Sequence, residues 1–220
     1  ITQMLPATPT ATPAPLPAVI PTVTTADTTT TTITSSAKQD GWVLEASEDS
    51  EAGGEKNSKG WLVVGDNAEN AQYRSILHLP TRPLANDLVI TELMLMLKKH
   101  DTTSDDIFST HGKILVDIQD GAFGNWGPFP YRGLQRMDFE SEACRNAVGI
   151  IHSEPMGDWY WAIFDPSAIA CFNLRGVTQL RLRFEIDDDN DATDDYIRFY
   201  SGDAENLADR PYLIIGYQGE

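Results

Sequence analysis

An acidic run is the densest chemical feature of the sequence. Six carboxylates fall within nine residues, in Asp187-Asp188-Asp189-Asn190-Asp191-Ala192-Thr193-Asp194-Asp195. Carboxylates at this density repel one another unless a cation lies among them, and Ca²⁺ takes six to eight oxygen ligands from flexible loops. The alternative is a solvated acidic hairpin that discourages edge pairing. The sequence predicts a structural Ca²⁺ site, with no catalytic cofactor, whose candidate ligands are Asp187, Asp189, Asp191 and Asp194.

Aromatic residues form a second candidate site. Trp126, Phe129 and Tyr131 lie in the irregular segment Gly-Asn-Trp-Gly-Pro-Phe-Pro-Tyr, where they cannot all belong to a strand core. Rings that stay near the surface would offer a platform for sugars. The other four tryptophans are expected in the core, since large aromatic side chains dominate sandwich cores. These four are Trp42, Trp61, Trp159 and Trp161.

The sequence carries no catalytic motif, and we predict that the protein is not an enzyme. It contains no His-Glu-x-x-His, no Gly-x-Ser-x-Gly, no P-loop and no Gly-x-Gly-x-x-Gly. The four histidines are scattered without metal-ligand spacing. His111 is expected to be a buried hydrogen-bonding residue at the start of a strand.

Short β-branched and aromatic runs alternate with Gly, Asn and Asp turns, which predicts strands. Leu180, Leu182 and Phe184 alternate with Arg181 and Arg183, as in a strand with one buried face. A helix is predicted over 134–145 and an apolar turn near 166–171. The pattern indicates an all-β fold, an antiparallel jelly-roll-type β-sandwich. The predicted strands cover 41–46, 61–65, 73–79, 89–99, 113–119, 159–164, 179–186, 195–201 and 211–217.

The composition changes at Asp40, which divides the chain into an extended Thr/Pro-rich arm (1–39) and a β-sandwich domain (40–220). The first 37 residues hold six prolines and one charged residue, Asp27, too little apolar content to fold alone. Within the arm, β-branched residues among threonines favour a strand that needs a partner. A solvated Thr-rich linker is the alternative. The candidate strand-donor residues are Val19, Ile20, Val23 and Ile33.

Charge and cysteine content limit the function classes. The net charge of −17 repels phosphate backbones and anionic lipid, so nucleic-acid partners are not expected. No apolar run reaches the roughly 18 residues that a membrane-spanning helix needs, so membrane insertion is not expected either. Two cysteines, Cys144 and Cys171, suggest one disulfide in a secreted, cell-surface protein, with two buried free thiols as the alternative.

The domain resembles the DNRLRE-type family of secreted β-sandwich modules over residues 40–217. That resemblance implies an all-β sandwich and a relation to carbohydrate-binding modules, including modules that bind alginate-like polysaccharides. It does not cover the arm. The matching residues are Asp40-Gly41-Trp42-Val43, Gly53-Gly54, Leu62-Val63-Val64-Gly65, Tyr73-Arg74-Ser75-Ile76-Leu77, Ile90-Thr91-Glu92-Leu93, Thr110-His111-Gly112, Asn146-Ala147-Val148-Gly149, Asp158-Trp159-Tyr160, Leu180-Arg181-Leu182-Arg183-Phe184, Ile197-Arg198-Phe199-Tyr200-Ser201-Gly202 and Arg210-Pro211-Tyr212-Leu213.

Together these features favour a structural subunit of an extracellular filament, a homo-polymer in which each arm adds a β-strand to a neighbouring copy. The alternative is a polysaccharide-binding module on a flexible stalk. The two hypotheses differ in whether the arm is held by a neighbouring subunit.

Overall fold

A computed structural model describes residues 28–124 and 133–218 of the chain. Val19, Ile20 and Val23 of the arm lie outside the described residues. The three residues of the predicted sugar platform, Trp126, Phe129 and Tyr131, lie outside them as well.

The described chain is almost entirely antiparallel β-structure, which confirms the predicted fold class. One short helix, α1, spans Ile107–His111, and 3₁₀ turns cover Arg136–Phe139, Pro166–Cys171 and Leu207–Asp209. The strands are β1 (Thr28–Thr34), β2 (Gly41–Glu45), β3 (Gly53–Asn57), β4 (Trp61–Asp66), β5 (Gln72–Leu79), β6 (Val89–Thr102), β7 (Ile114–Asp120), β8 (Arg145–Ile151), β9 (Trp159–Ile163), β10 (Thr178–Phe184), β11 (Asp195–Tyr200) and β12 (Tyr212–Gln218).

The strands form two layers that share one strand. The β12 layer consists of β1, β12, β6 and β9, and the β10 layer consists of β8, β7, β10, β5, β4 and β11, with the β2–β3 hairpin paired to β5. Strand β6 is 14 residues long. Its first part pairs with β12 and β9, and its last residues pair with β11. On the opposite side, a single bridge joins Gly149 of β8 to Phe164.

One continuous hydrophobic core fills the space between the layers. Alternate residues of each strand supply it, for example Leu93, Leu95 and Leu97 of β6 and Leu180 and Leu182 of β10, all at most 1 % exposed. A smaller cluster covers the outer face of the β10 layer. It consists of Val43, Ile76, Phe123, Leu134 and Phe139.

Strand β10 is buried on both faces at Arg181, so the prediction of a single buried face is wrong there. Arg181 is 4 % exposed, and its Nη2 lies 2.9 Å from Oδ2 of Asp117 on β7. Its Nη1 donates to the main-chain carbonyls of Asp138, Phe139 and Ser141 at 3.2, 3.0 and 2.8 Å. A buried guanidinium has five donors to satisfy, and this segment supplies the acceptors.

The same contacts explain why the helix predicted over 134–145 does not form, which corrects that prediction. The helical part is the 3₁₀ turn Arg136–Phe139, and β8 begins at Arg145. An α-helix would use the carbonyls of residues 138, 139 and 141 for its own i→i+4 bonds. Arg181 uses them instead, and Arg74 also donates to the Phe139 carbonyl at 2.9 Å. The predicted apolar turn near 166–171 is present as the 3₁₀ turn Pro166–Cys171.

A disulfide between Cys144 and Cys171 joins the residue before β8 to the end of the 3₁₀ turn Pro166–Cys171. The main-chain N–H of Cys144 also donates to Oε1 of Gln119 at 2.7 Å. The segment leading into β8 is therefore attached both to the β10 layer and to the turn that follows β9.

Replacing Arg181 with lysine is expected to destabilise the fold. Lysine keeps the positive charge but cannot reach Asp117 and three carbonyls at once, which leaves buried acceptors unpaired. We expect a loss of about 3 kcal/mol or more in the free energy of unfolding, measured by urea denaturation. Arg175→Lys, at an exposed position, is the matched control and should lie within about 0.5 kcal/mol of the parent. Equal stability of the two variants would contradict this role of Arg181.

Candidate functional site

The outer face of the β12 layer is unusually apolar. The register places Met94 of β6 between Ile214 of β12 and Ile163 of β9. It places Met96 between Tyr212 and Trp161 in the same way. Strands with apolar residues on both faces are typical of sheets that are covered on both sides. We call this surface the apolar face; its residues are Met94, Met96, Trp159, Trp161, Ile163, Tyr212 and Ile214.

The apolar face is open to solvent along β9. Ile163 is 57 % exposed, and Trp159 lies edge-on against Tyr212 with ring centroids 5.4 Å apart. A large exposed apolar side chain within an apolar surface marks an interaction site more often than an isolated one does. The outer face of the β12 layer is therefore a candidate docking surface.

The core packing expected for Trp42, Trp61, Trp159 and Trp161 is wrong. All four are partly exposed, and the core is built from aliphatic side chains with phenylalanines and Tyr160. In β9 the strand alternation turns Tyr160 and Ala162 inward, which leaves both tryptophans of that strand outside. Residue size alone did not determine which face each tryptophan occupies.

Strand β1 lies at the end of the strand order, next to the apolar face. This strand, Thr28–Thr34, belongs to the arm by sequence, and it pairs with β12 over its full length. Thr31 and Ile33 point inward, and Ile33 packs against the chain's own core. Among the described strands, only β12 pairs with β1, so its other edge presents unpaired main-chain groups. Such an edge is a template for pairing with another chain.

The segment after β1 is fixed to the domain by main-chain contacts. The Asp40 carboxylate accepts hydrogen bonds from the N–H groups of His78 (2.8 Å) and Gly202 (3.0 Å), and Ser36 N–H donates to the His78 carbonyl at 2.8 Å. A Cβ at Gly202 would lie 2.5 Å from the Ala37 nitrogen, so the close approach requires glycine. Residues 1–27 of the arm therefore continue from Thr28, at the edge of the β12 layer.

Burial raises the pKa of Asp40 to about 7, although its hydrogen bonds with Ser35, His78 and Gly202 act in the opposite direction. Asp40 is 1 % exposed. The base of the arm is therefore held by a carboxyl group that binds its proton more tightly in the folded protein than in the unfolded chain.

A second candidate site lies at one end of the core, where four carboxylates meet. Asp66 and Asp195 are direct partners in the β4–β11 ladder. Each lies two residues from a core residue on the same strand face, Val64 and Ile197 respectively. One carboxylate oxygen from each of Asp189, Asp191 and Asp195 lies within 4.8 Å of the others. We call this group the acidic cleft; its residues are Asp66, Asp189, Asp191 and Asp195.

Asp66 is the buried member of the acidic cleft. It is 0 % exposed, and neither of its carboxylate oxygens has a hydrogen-bond partner among the described residues. Burial, followed by the charges of Asp189, Asp195 and Asp188, raises the pKa of Asp66 to about 7. Because Asp66 stands directly opposite Asp195 in the ladder, the two side chains lie next to each other on the same face of the sheet.

His111 lies behind the acidic cleft at the end of α1 and is fully buried. Its Nε2 is 3.6 Å from Oδ1 of Asp66 and has no hydrogen-bond partner among the described residues. Its Nδ1 lies 3.3 Å from the Ile186 carbonyl oxygen. Because a carbonyl oxygen only accepts, Nδ1 carries a proton in that contact.

The structure brings together two of the four predicted Ca²⁺ ligands, Asp189 and Asp191. Asp187 and Asp194 are not part of the acidic cleft, and Asp194 accepts a hydrogen bond from the Ala68 N–H at 3.0 Å. Sequence reasoning did not name Asp195 or Asp66 as members of this group. Asp195 was within the acidic run, whereas Asp66 is brought there only by the pairing of β4 with β11.

The exposed aromatic rings of the β10 layer pack against one another. Trp61 stacks on His100 with ring centroids 3.8 Å apart, and Tyr200 lies edge-on to both at 5.6 and 5.2 Å. A sugar platform needs a free ring face, and these contacts occupy part of the ring surfaces.

Among the residues that the structure describes, no helix has the length and apolar character needed to cross a membrane. No protein-family model matches the chain, and a search of curated proteins finds no match. The resemblance to DNRLRE-type modules therefore stays a prediction, and function has to be argued from the sites themselves.

Replacing Asp40 with asparagine is expected to change how stability depends on pH. Because the pKa of Asp40 is raised in the folded state, its favourable contribution is complete below the unfolded value and is lost as the pH rises toward 7. From pH 5 to pH 8 the parent should lose about 2 to 3 kcal/mol relative to Asp40→Asn. Urea denaturation in the presence of a chelator measures this difference.

The control for this experiment is Asp120→Asn, which removes an exposed carboxyl group at the end of β7. Its stability should follow the parent across the same pH range. If the free energy of unfolding of Asp40→Asn changes with pH in the same way as that of the parent, the Asp40 carboxyl group does not titrate differently in the folded and unfolded states.

Proposed function

We propose that the protein is a structural subunit of an extracellular filament, in which residues 1–27 of one copy dock on the β12 layer of the next. The observation that carries the proposal is the position of Thr28. The arm continues from an edge strand whose outer side is unpaired among the described strands, directly beside the apolar face.

The length of the arm supports docking on a neighbouring copy. Fully extended, 27 residues reach roughly 90 Å, whereas a domain of this size has a diameter on the order of 40 Å. The arm therefore reaches well beyond the domain to which it is attached. A contact between the arm of one copy and the layer of another is heterologous and need not close, so it produces an open chain of subunits.

The chemistry of the arm complements the apolar face. Within residues 1–27 the only charged side chain is Asp27, and this part of the arm carries Val19, Ile20 and Val23. Ordering each arm residue costs about 1 to 2 kcal/mol, and a main-chain hydrogen bond returns about 0.5 to 1.5 kcal/mol net. The net free energy of strand pairing at β1 alone is therefore close to zero. Burial of each apolar side chain contributes about 1.5 to 3 kcal/mol. Apolar burial therefore provides the net stabilisation of the docked arm.

The distribution of charge favours an arm as the connector. The whole chain carries a net charge of −17, of which the arm contributes one negative residue. Direct contact between two strongly acidic domains is opposed by repulsion. A nearly neutral arm joins neighbouring domains without bringing their acidic surfaces together. The Cys144–Cys171 disulfide supports the proposed extracellular location, because such bonds persist in oxidising compartments.

Replacing Ile163 with aspartate should abolish assembly. Ile163 is 57 % exposed in the subunit, so the variant should fold, but a docked arm would bury its charge without a partner. Negative-stain electron microscopy and analytical ultracentrifugation should show filaments for the parent and monomers for Ile163→Asp. The matched control is Met137→Asp, a similarly exposed apolar residue at 48 % on the other side of the molecule; it should assemble like the parent.

The arm provides the reciprocal test. Deleting residues 1–27, or introducing Val23→Asp, should give a folded monomer, whereas Thr10→Ser should leave assembly unchanged. If the parent stays monomeric, or if Ile163→Asp and Val23→Asp both assemble like the parent, the arm is a linker and the polysaccharide-binding hypothesis replaces this one.

A further inference from the structure

The acidic cleft contains two carboxylates on directly opposite ladder positions, Asp66 and Asp195. Like charges on opposite positions destabilise an antiparallel pair. Asp189 and Asp191 add two more negative groups from the loop. Among residues 28–124 and 133–218, no lysine or arginine forms an ion pair with any of the four carboxylates. The one basic side chain in contact with the group among these residues is His111, whose Nε2 lies 3.6 Å from Oδ1 of Asp66.

The excess of negative charge is not confined to the surface, because Asp66 is buried. Its side chain is 1 % exposed, and both of its oxygens lack a hydrogen-bond partner among the described residues. A buried carboxylate without partners costs several kcal/mol. His111 Nε2 lies 3.6 Å from Oδ1 of Asp66, too far for a hydrogen bond. A cation bound among the four carboxylates would offset both the burial of Asp66 and the repulsion between the carboxylates.

We propose that the acidic cleft binds one Ca²⁺ ion through Asp189, Asp191 and Asp195, with Asp66 as the buried carboxylate on the protein side of the ion. One carboxylate oxygen from each of Asp189, Asp191 and Asp195 lies within 4.8 Å of the others, close enough for one ion to contact all three at Ca²⁺–oxygen distances of 2.3–2.6 Å. Mg²⁺ usually keeps several waters and binds through one or two carboxylates, so a set of four carboxylates favours Ca²⁺. An all-carboxylate set also suits a hard cation rather than Zn²⁺.

The proposed site joins the loop that precedes β11 to the last residue of β4. Asp189 and Asp191 come from the loop, Asp195 is the first residue of β11, and Asp66 closes β4. An ion held by all four would fix the acidic loop against the end of the core. Because it binds only the folded arrangement, it stabilises the protein by mass action.

The experiment uses the full chain at micromolar concentration, with thermal unfolding and isothermal titration in CaCl₂, MgCl₂, ZnCl₂ or EGTA. We expect Ca²⁺ to raise the melting temperature by several degrees over EGTA. Asp66→Asn should abolish that rise, lower Ca²⁺ affinity at least tenfold and, by removing repulsion, raise the melting temperature in EGTA. The matched control is Asp187→Asn, in the same acidic run but outside the cleft, which should respond to Ca²⁺ like the parent.

Asp191→Asn provides a second variant whose exposed position leaves the fold intact; it should also lose at least tenfold in affinity. Equal melting temperatures of the parent in CaCl₂ and EGTA would overturn the proposal. A full Ca²⁺ response in both Asp66→Asn and Asp191→Asn would overturn the residue assignment, and tighter binding of Zn²⁺ than of Ca²⁺ would overturn the choice of ion.

Discussion

The buried ion pair between Arg181 and Asp117 is the interaction on which the outer side of the β10 layer depends. A guanidinium in this position is tolerated only when its charge and its donors are both satisfied. Asp117 supplies the charge, and one stretch of main chain supplies three carbonyl oxygens, those of Asp138, Phe139 and Ser141. This stretch is thereby held over the sheet, where Phe123 and Phe139 are part of the smaller hydrophobic cluster.

Two buried carboxylates in this protein, those of Asp117 and Asp66, differ in how the chain pairs them. Asp117 is paired with Arg181 and Arg183 and also accepts the Ala147 N–H. Among the described residues, Asp66 has no lysine or arginine partner, and neither of its carboxylate oxygens has a hydrogen-bond partner. The first carboxylate contributes to the architecture through interactions within the chain. For the second, the proposed Ca²⁺ ion would supply the interactions that the chain does not.

The strand pattern was predictable from sequence because alternation of apolar and polar residues is a local signal. Two strands were missed for local reasons: β3 has no apolar residue, and β8 follows a segment with helical spacing. A strand was predicted within the arm, but not the pairing of Thr28–Thr34 with β12 of the same chain. Partners that come from distant parts of the chain were not predictable. Asp66 joins the acidic loop only through strand register, and Arg181 is buried only because a remote segment folds over it.

The pairing of β1 with β12 sets how the subunit would carry mechanical load. The seven ladder positions from Thr28 to Thr34 run along one strand axis, with hydrogen bonds perpendicular to it. Tension applied through Thr28 along that axis shears all these positions together instead of opening them one after another. Behind them, the chain is fastened again at Ser36 and Asp40. In the proposed filament, the edge strand would act as a tensile joint whose strength comes from simultaneous loading of many weak bonds.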